Sequence, residues 1–310
     1  MTQFVRLLKQ RATILIPTIV VFERYPRCFA QQLNLLPVEL ATGNPAIVGS
    51  LFDLRHLPSE VIPERVKSAV TNPYYVASRR KLSVEPALQN LKILSDAGVI
   101  IAAGTDAGNI GTLHGPSIFR EFELMAEAGL TPMQILADAT VNGCKVFGQS
   151  SQCGAIDRGM LADLLILRAN PIVNIDNASQ IETVIKDGVV HQVEDLLQQT
   201  PVDVVQWQVN AYNARNLEAF AAAYSPNAKL YEYPNQLLAA GRVEIRKRYE
   251  RLFAETPALH VQILHRLGSG RTVIDQERVT GLGGSKTQDG FAIYEVADQA
   301  IQNVTLVPCD

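Results

Sequence analysis

The sequence predicts an α/β unit followed by a separate α+β unit, and three observations support that prediction. Residues 99–103 form an apolar run that ends close to the carboxylate of Asp106, as expected for a strand buried on both faces of a parallel sheet. A loop and a helical pattern follow over 113–128, which completes a strand, loop and helix unit. Near residue 198 the composition turns polar, and alternating strand patterns follow.

Length and composition set the outer bounds of the prediction. A chain of 310 residues exceeds the usual size of one core, so we expect two domains, over 1–197 and 198–310. The net charge of −3 gives no electrostatic case for nucleic-acid binding. An apolar run of ten residues near the N-terminus is too short to span a membrane, so no membrane partner is expected. Four scattered cysteines predict free thiols in a reducing, cytoplasmic compartment.

The elements of the first domain follow in chain order. The patterns predict a helix to residue 10, a strand over 12–21, and an irregular proline-punctuated segment over 34–72 with a short helical piece at 63–70. A capped helix ending at Gly98 leads into the strand before Asp106. A second helix begins at Thr131 and Pro132 and ends near residue 147. Short strands are predicted over 161–167 and 181–190, the latter split by a turn at Asp187 and Gly188.

The second domain reads as helices packed on a sheet. Helical patterns cover 202–213, 216–224 and 242–256. Strand patterns cover 228–234, 260–267, 272–281, 290–296 and 300–306.

Several motifs in the first domain resemble the amidohydrolase superfamily, in its imidazolonepropionase-like branch. They are Gly104-Thr-Asp-Ala-Gly108, the His114-Gly115 pair, the run from Arg120 to Pro132, the run from Ala137 to Gly143 and the run from Gly154 to Leu167. Their order and spacing match over roughly residues 1–192. The resemblance implies a partial TIM-type barrel, made of its last strands plus the strands of a small outer sheet.

The same resemblance implies roles for two residues. Asp106 would end the eighth barrel strand, bind a divalent metal such as zinc, and handle the proton of the attacking water. His114 would line a substrate pocket, with a solvent-facing loop position as the alternative.

The remaining ligands of such a metal centre are not visible in the sequence. A hydrolytic centre needs several nitrogen or oxygen ligands and an open position for water. In the resembled family they lie on strands before the seventh, and this chain starts just before the seventh. The five histidines include no pair at ligand spacing near Asp106. We therefore expect an incomplete metal site, no turnover by this chain alone, and a separate barrel polypeptide as a possible complement.

The second domain resembles the SnoaL-like, nuclear-transport-factor-like cone. Three stretches support the likeness, namely Ala211 to Phe220, Tyr231 to Pro234 and Ile293 to Val296. The likeness to ketosteroid isomerase within this fold places its catalytic positions on Gln208, Tyr233 and near Ala292. Since these residues supply neither its base nor its oxyanion donors, steroid isomerisation is not expected.

A polar pocket is nonetheless predicted in the cone. Period two places Asp275, Glu277 and Val279 on one strand face, and Tyr233 is expected to point inward beside them. The alternative is that these carboxylates pair with Arg or Lys in a dimer interface, and a homo-oligomer through this domain is expected.

Three functions stay open at this point. The chain is a metal-dependent hydrolase of non-peptide carbon–nitrogen bonds with an incomplete site, or a small-ligand-binding or isomerase- or cyclase-like protein acting through its cone. The third possibility is a non-catalytic oligomerisation module.

Overall fold

The computed structural model describes residues 2–30, 32–52, 72–282 and 287–309. It forms two compact units, one of Met1–Gly43 with Leu57–Leu197 and one of Asn44–His56 with Gln198–Asp310. The stretch 44–56, which the predicted first domain included, therefore groups with the C-terminal unit. The predicted helical piece at 63–70, and His56, lie outside the described residues.

The first unit is mainly helical in its described part. Its helices are α1 (Thr2–Gln10), α2 (Ile19–Phe29), α3 (Pro37–Thr42), α5 (Tyr75–Arg79), α6 (Glu85–Asp96), α7 (Ser117–Glu127), α8 (Pro132–Ala139), α9 (Val141–Val146) and α10 (Val193–Leu196). The helix α4 (Pro45–Phe52) belongs to the second unit. A π-helical turn at Arg80–Val84 leads into α6, and a 3-10 turn covers Ile175–Ser179. One apolar core joins the buried faces of α2, α6 and α7.

The predicted barrel appears only as short pieces of sheet in the described residues. Strand β1 (Ile14–Leu15) pairs in parallel with β2 (Ile100–Ile101). The predicted strand over 12–21 is wrong beyond Leu15, because Pro17 has no amide hydrogen and Thr18 adopts a positive φ of 47° before α2 begins. The parallel pairing fits adjacent barrel strands, but a closed TIM-type barrel is not shown.

Buried carboxylates near α2 all have partners. Glu121 accepts hydrogen bonds from the backbone amides of Ile19 (3.0 Å) and Val20 (2.7 Å), at the start of α2. Glu39 accepts from Arg24 Nη2 (2.7 Å) and Ser117 Oγ (2.7 Å). Such buried groups are stable because each oxygen meets a donor.

The small outer sheet agrees with the predicted strands. Strands β3 (Leu164–Leu167), β4 (Ile181–Lys186) and β5 (Val189–Gln192) form an antiparallel sheet in that order, with a turn at Asp187 and Gly188.

The expectation of four free thiols is wrong for one pair of cysteines. Cys144 and Cys153 form a disulfide, with Cα atoms 5.9 Å apart. Cys144 lies in α9 and Cys153 follows in the next turn, so nine residues of chain return on themselves and bring the sulfurs together.

The second unit is a cone built from one sheet and several helices. Its helices are α4 (Pro45–Phe52), α11 (Pro201–Ala214), α12 (Leu217–Ala222) and α13 (Arg242–Glu255). Its strands are β6 (Tyr224–Glu232), β7 (Gln236–Ala240), β8 (His260–Ser269), β9 (Thr272–Thr280), β10 (Thr287–Ala297) and β11 (Ala300–Pro308). Among the described strands of this unit only β7 had no predicted counterpart, and α4 lies in the segment that was predicted to be irregular.

The sheet curves around a helix-lined interior. Its strand order is β7-β6-β11-β10-β9-β8, with β6 and β11 parallel and the other neighbours antiparallel. Helix α11 starts at a capping box in which Thr200 Oγ1 and the Asp203 carboxylate satisfy each other's backbone amides. Its apolar side packs with those of α12 and α13 against one sheet face. Helix α4 joins this unit through Asn210 Nδ2, which donates to the carbonyl oxygen of Pro45 at 2.8 Å.

No helix in the described part of the chain is long and apolar enough to cross a membrane.

Candidate functional site

The loop after β2 places the first two candidate residues. Asp106 is exposed, adopts a positive φ of 49°, and its Oδ2 accepts a hydrogen bond from Asn109 Nδ2 at 2.7 Å. His114 is also exposed, and a Cβ atom built on Gly108 would lie 3.7 Å from its Nε2 atom. The structure thus places His114 beside the loop that carries Asp106, at the protein surface.

These donors do not fit a metal centre. Among the described residues, no three His, Cys, Asp or Glu side chains are placed to hold a metal ion together. The Asp106 carboxylate is instead held by a neighbouring amide donor, Asn109.

A cavity of about 280 Å³ lies in the second unit, between the concave sheet face and helices α11 and α13. Its lining mixes apolar side chains with three carboxylates, two amides, one guanidinium and several phenols. The polar groups that matter below are Gln208, Tyr212, Tyr224, Tyr249, Glu277 and Tyr294.

The structure places the three residues predicted on one face of β9 as follows. Asp275 is fully buried, and Glu277 and Val279 line the cavity on the same face. Arg266 on β8 pairs with Asp275 in a bidentate manner, with both nitrogen–oxygen distances at 2.6 Å. Arg266 also donates to Gln206 Oε1 at 2.6 Å. Asp275 therefore has an intramolecular cationic partner, and no dimer partner is needed for it.

Glu277 has no such partner. No hydrogen bond or ion pair to its carboxylate occurs among the described residues. Burial, and then the negative charge of Asp275, raise the pKa of Glu277 to about 7. Both protonation states of this carboxyl are therefore accessible near neutral pH.

Four phenols surround this carboxyl and remain protonated. Burial raises the pKa of Tyr249 to about 12, and it also raises the pKa values of Tyr212, Tyr224 and Tyr294 well above the ordinary tyrosine value. Their hydroxyl groups can consequently both donate and accept hydrogen bonds in the cavity.

Gln208 contributes an unused acceptor. Its side chain is only 4% exposed, and its Nε2 donates to the Tyr224 hydroxyl at 3.1 Å. Its Oε1 atom is buried without a hydrogen-bond partner. Because an unmet buried polar atom costs free energy, it marks a place where a ligand donor would be stabilised.

The predicted inward position of Tyr233 is wrong. Its side chain is 64% exposed and lies outside the cavity wall. Residues alternate between faces along β6, so Leu230 is buried, Glu232 lines the cavity, and Tyr233 falls on the opposite side. Glu232 is the residue that sequence reasoning missed at this position.

The cavity tyrosines were also missed, although a signal for them was present. Gln208 and Tyr212 are four residues apart on α11, and Ile245, Tyr249 and Phe253 repeat at the same spacing on α13. This spacing places each set on one helix face, so it indicates inward-facing phenols.

Two family models match separate parts of this chain. The amidohydrolase family matches residues 54–191, and the SnoaL-like domain matches residues 204–304. The resemblances drawn from the motifs are therefore confirmed, and the cone fold of the second unit is supported. No curated protein matches the chain.

Solved structures are also similar to parts of the chain. A cystatin-fold protein from Novosphingobium aromaticivorans is 20% identical over 35% of this chain and 98% of its own, with a TM-score of 0.34. An NTF2-like protein from Cytophaga hutchinsonii is 16% identical over 36% of this chain and 92% of its own, with a TM-score of 0.32. A Xaa-Pro dipeptidase is 28% identical over 48% of this chain and 34% of its own, with a TM-score of 0.35.

The buried pair on β8 and β9 gives a stability prediction. Asp275→Asn leaves the guanidinium of Arg266, whose side chain is 15% exposed, without its counter-ion, and should cost about 3–5 kcal/mol of the free energy of unfolding. The matched control is Asp289→Asn, which breaks a pair of the same bidentate geometry with Arg278 on the surface, where solvent screens the charges, and should change the free energy of unfolding far less. Urea unfolding followed by fluorescence of Trp207, the single tryptophan, measures both. Equal losses in the two variants would contradict the assignment.

Proposed function

We propose that the second unit binds a small, partly apolar organic molecule in the cavity of its cone. The observation that supports this most directly is Glu277, a carboxyl that lines a cavity without a partner among the described residues. The fold loses free energy by burying such a group, and a bound ligand that hydrogen-bonds to it would recover part of that loss.

The dimensions and lining of the cavity support a small ligand. A volume of about 280 Å³ is close to the lower end of the range for small-molecule sites, which is roughly 300–1,000 Å³. The apolar part of the cavity wall includes Leu252, Val261 and Val304. The phenols and Gln208 supply a few polar contacts. This combination is typical of sites that orient one small molecule.

An acid–base reaction of the isomerase or cyclase type is the second candidate for the same cavity. The observation that favours it is the pKa of Glu277, raised to about 7 by burial, because a general base works best when its pKa lies near the operating pH.

For the first unit we propose an amidohydrolase-related structure that does not hydrolyse a substrate by itself. The surface position of Asp106, held by Asn109 and without a set of co-ligands in the described ranges, supports this. We also propose a separate polypeptide that completes the site and a homo-oligomer formed through the cone.

A cytoplasmic location is a further proposal. The Cys144–Cys153 disulfide is evidence against it, because disulfides are rare in reducing compartments.

A fragment screen tests the binding function. Ligand-observed NMR on the full chain, with cationic, neutral and anionic fragments, should find binders that are lost in Val279→Phe, because the larger ring fills the cavity. The substitution should cost about 1–3 kcal/mol of stability, so an intact Trp207 unfolding transition is checked first. Val243→Phe on the exposed side of α13, where Val243 is 66% exposed, is the control and should keep binding. An absence of binders, or binding that survives in Val279→Phe, would overturn the proposal.

Metal analysis tests the proposal for the first unit. The purified chain is expected to retain no stoichiometric zinc at neutral pH and to show no chelator-sensitive hydrolysis of amides or lactams. The reason is that Asp106 lies in an exposed loop, and the described residues supply no set of further ligands beside it. Retained zinc that is lost in Asp106→Asn, together with hydrolysis, would contradict this.

A further inference from the structure

We infer that the ligand of the cone cavity is a small organic amine, bound as its ammonium ion with the Glu277 carboxylate as counter-ion. This inference rests on the proposed binding function and names the chemical class of the ligand.

The charge distribution around the cavity favours a cation. Its wall carries three carboxylates, Glu232, Glu277 and Asp289, and one guanidinium, Arg248. Asp289 is already paired with Arg278. Arg248 is exposed, whereas Glu277 is half-buried, so the cavity wall holds a carboxylate that has no cationic partner among the described residues.

The hydrogen-bonding groups favour a donor-rich ligand. Gln208 Oε1 is an acceptor without a partner, and the Glu277 carboxylate offers two further acceptor oxygens. An ammonium group with N–H bonds can donate to both types of acceptor at once. A carboxylate ligand would instead be repelled by Glu277 and would leave Gln208 Oε1 unmet.

The aromatic content of the wall adds to this preference. Tyr212, Tyr249, Phe291 and Tyr294 line the cavity. Aromatic rings stabilise organic ammonium ions, because the negative face of the ring attracts the positive charge. The apolar part of the amine would pack on the aliphatic side chains of the same wall.

The groups that face Glu277 determine how binding depends on pH. Beside Glu277 on β9 lies Asp275, which pairs with Arg266 on β8. The cavity wall adds Gln208 and Tyr212 on α11, Arg248 and Tyr249 on α13, Tyr224 and Glu232 on β6, and Asp289 and Tyr294 on β10. Asp275 is neutralised by Arg266, and the phenols do not ionise near neutral pH. Glu277 is therefore the group whose protonation controls the site between pH 6 and about pH 8.

The sign of the pH dependence follows from the raised pKa of Glu277. The amine binds the ionised carboxylate, so protonation of Glu277 below a pKa of about 7 removes the counter-ion. Affinity should rise with pH through that value and level off above it. Between pH 8 and pH 6 the ionised fraction falls about tenfold, and affinity should fall with it.

Calorimetry with three matched probes tests the inference on the full chain. Benzylamine, benzyl alcohol and benzoate share one ring and differ in the charge and donors of one substituent. Benzylamine should bind at least about tenfold more tightly than either of the others at pH 8, and about tenfold more weakly at pH 6. Glu277→Gln should weaken benzylamine binding at least about tenfold and abolish its pH dependence.

Glu295→Gln is the matched control. It removes the same charge from β10, but Glu295 lies on the opposite sheet face, where it accepts a hydrogen bond from Asn303 Nδ2 at 2.6 Å. Benzylamine affinity and its pH dependence should be unchanged in this variant.

The outcomes separate the ligand class from the binding function itself. Equal or tighter binding of benzyl alcohol or benzoate, or unchanged benzylamine binding in Glu277→Gln, would overturn the amine inference and leave the cavity as a binding site. Failure of benzylamine to bind while screened fragments bind would do the same. Failure of every fragment would overturn the proposed function as well.

Discussion

Strand β9 carries two carboxylates two residues apart, Asp275 fully buried and Glu277 half-buried, and only Asp275 has a cationic partner among the described residues. Asp275 forms a bidentate ion pair with Arg266, whereas Glu277 lines the cavity together with several phenols and Gln208. Each further feature of the site follows from this imbalance. The negative charge on Asp275 adds to burial in raising the pKa of Glu277.

The buried carboxylates of the first unit show that this chain can supply internal hydrogen-bond donors to a buried carboxylate. Glu121 meets two backbone amides, and Glu39 meets Arg24 and Ser117. These are structural arrangements, because each oxygen has an internal donor. Glu277 lacks donors of this kind among the described residues, which is why we assign it to ligand binding rather than to stability.

Much of the cone could be predicted from the sequence because local periodicity determines it. The alternation along β9 predicted that Asp275 and Glu277 share one face, and in the structure Asp275 is buried and Glu277 lines the cavity. The inward position of Tyr233 came instead from the likeness to ketosteroid isomerase, and it failed because the pairing of β6 with β7, a strand that had not been predicted, shifts between Leu230 and Tyr231. The grouping of α4 with the second unit depends on a contact between Asn210 and Pro45, and no local pattern reports a contact so distant in sequence.

For the first unit, the sequence predicted the family resemblance better than it predicted the secondary structure. Motifs around Asp106 indicated the amidohydrolase family, which the family match supports, yet the strand expected over 12–21 is interrupted after two residues. Pro17 and Thr18 were visible in the sequence. Their effect on the strand depends on the start of α2 at Ile19, where the backbone amide donates a hydrogen bond to the distant carboxylate of Glu121.

The most direct test of this account is a carbon-13 NMR titration of the glutamate carboxyl groups in the full chain, with the Glu277 resonance assigned from its loss in Glu277→Gln. The account predicts that this carboxyl titrates at about 7 without ligand. Titration at the ordinary glutamate value of about 4.5 would show that Glu277 is solvated or paired, and would contradict the account.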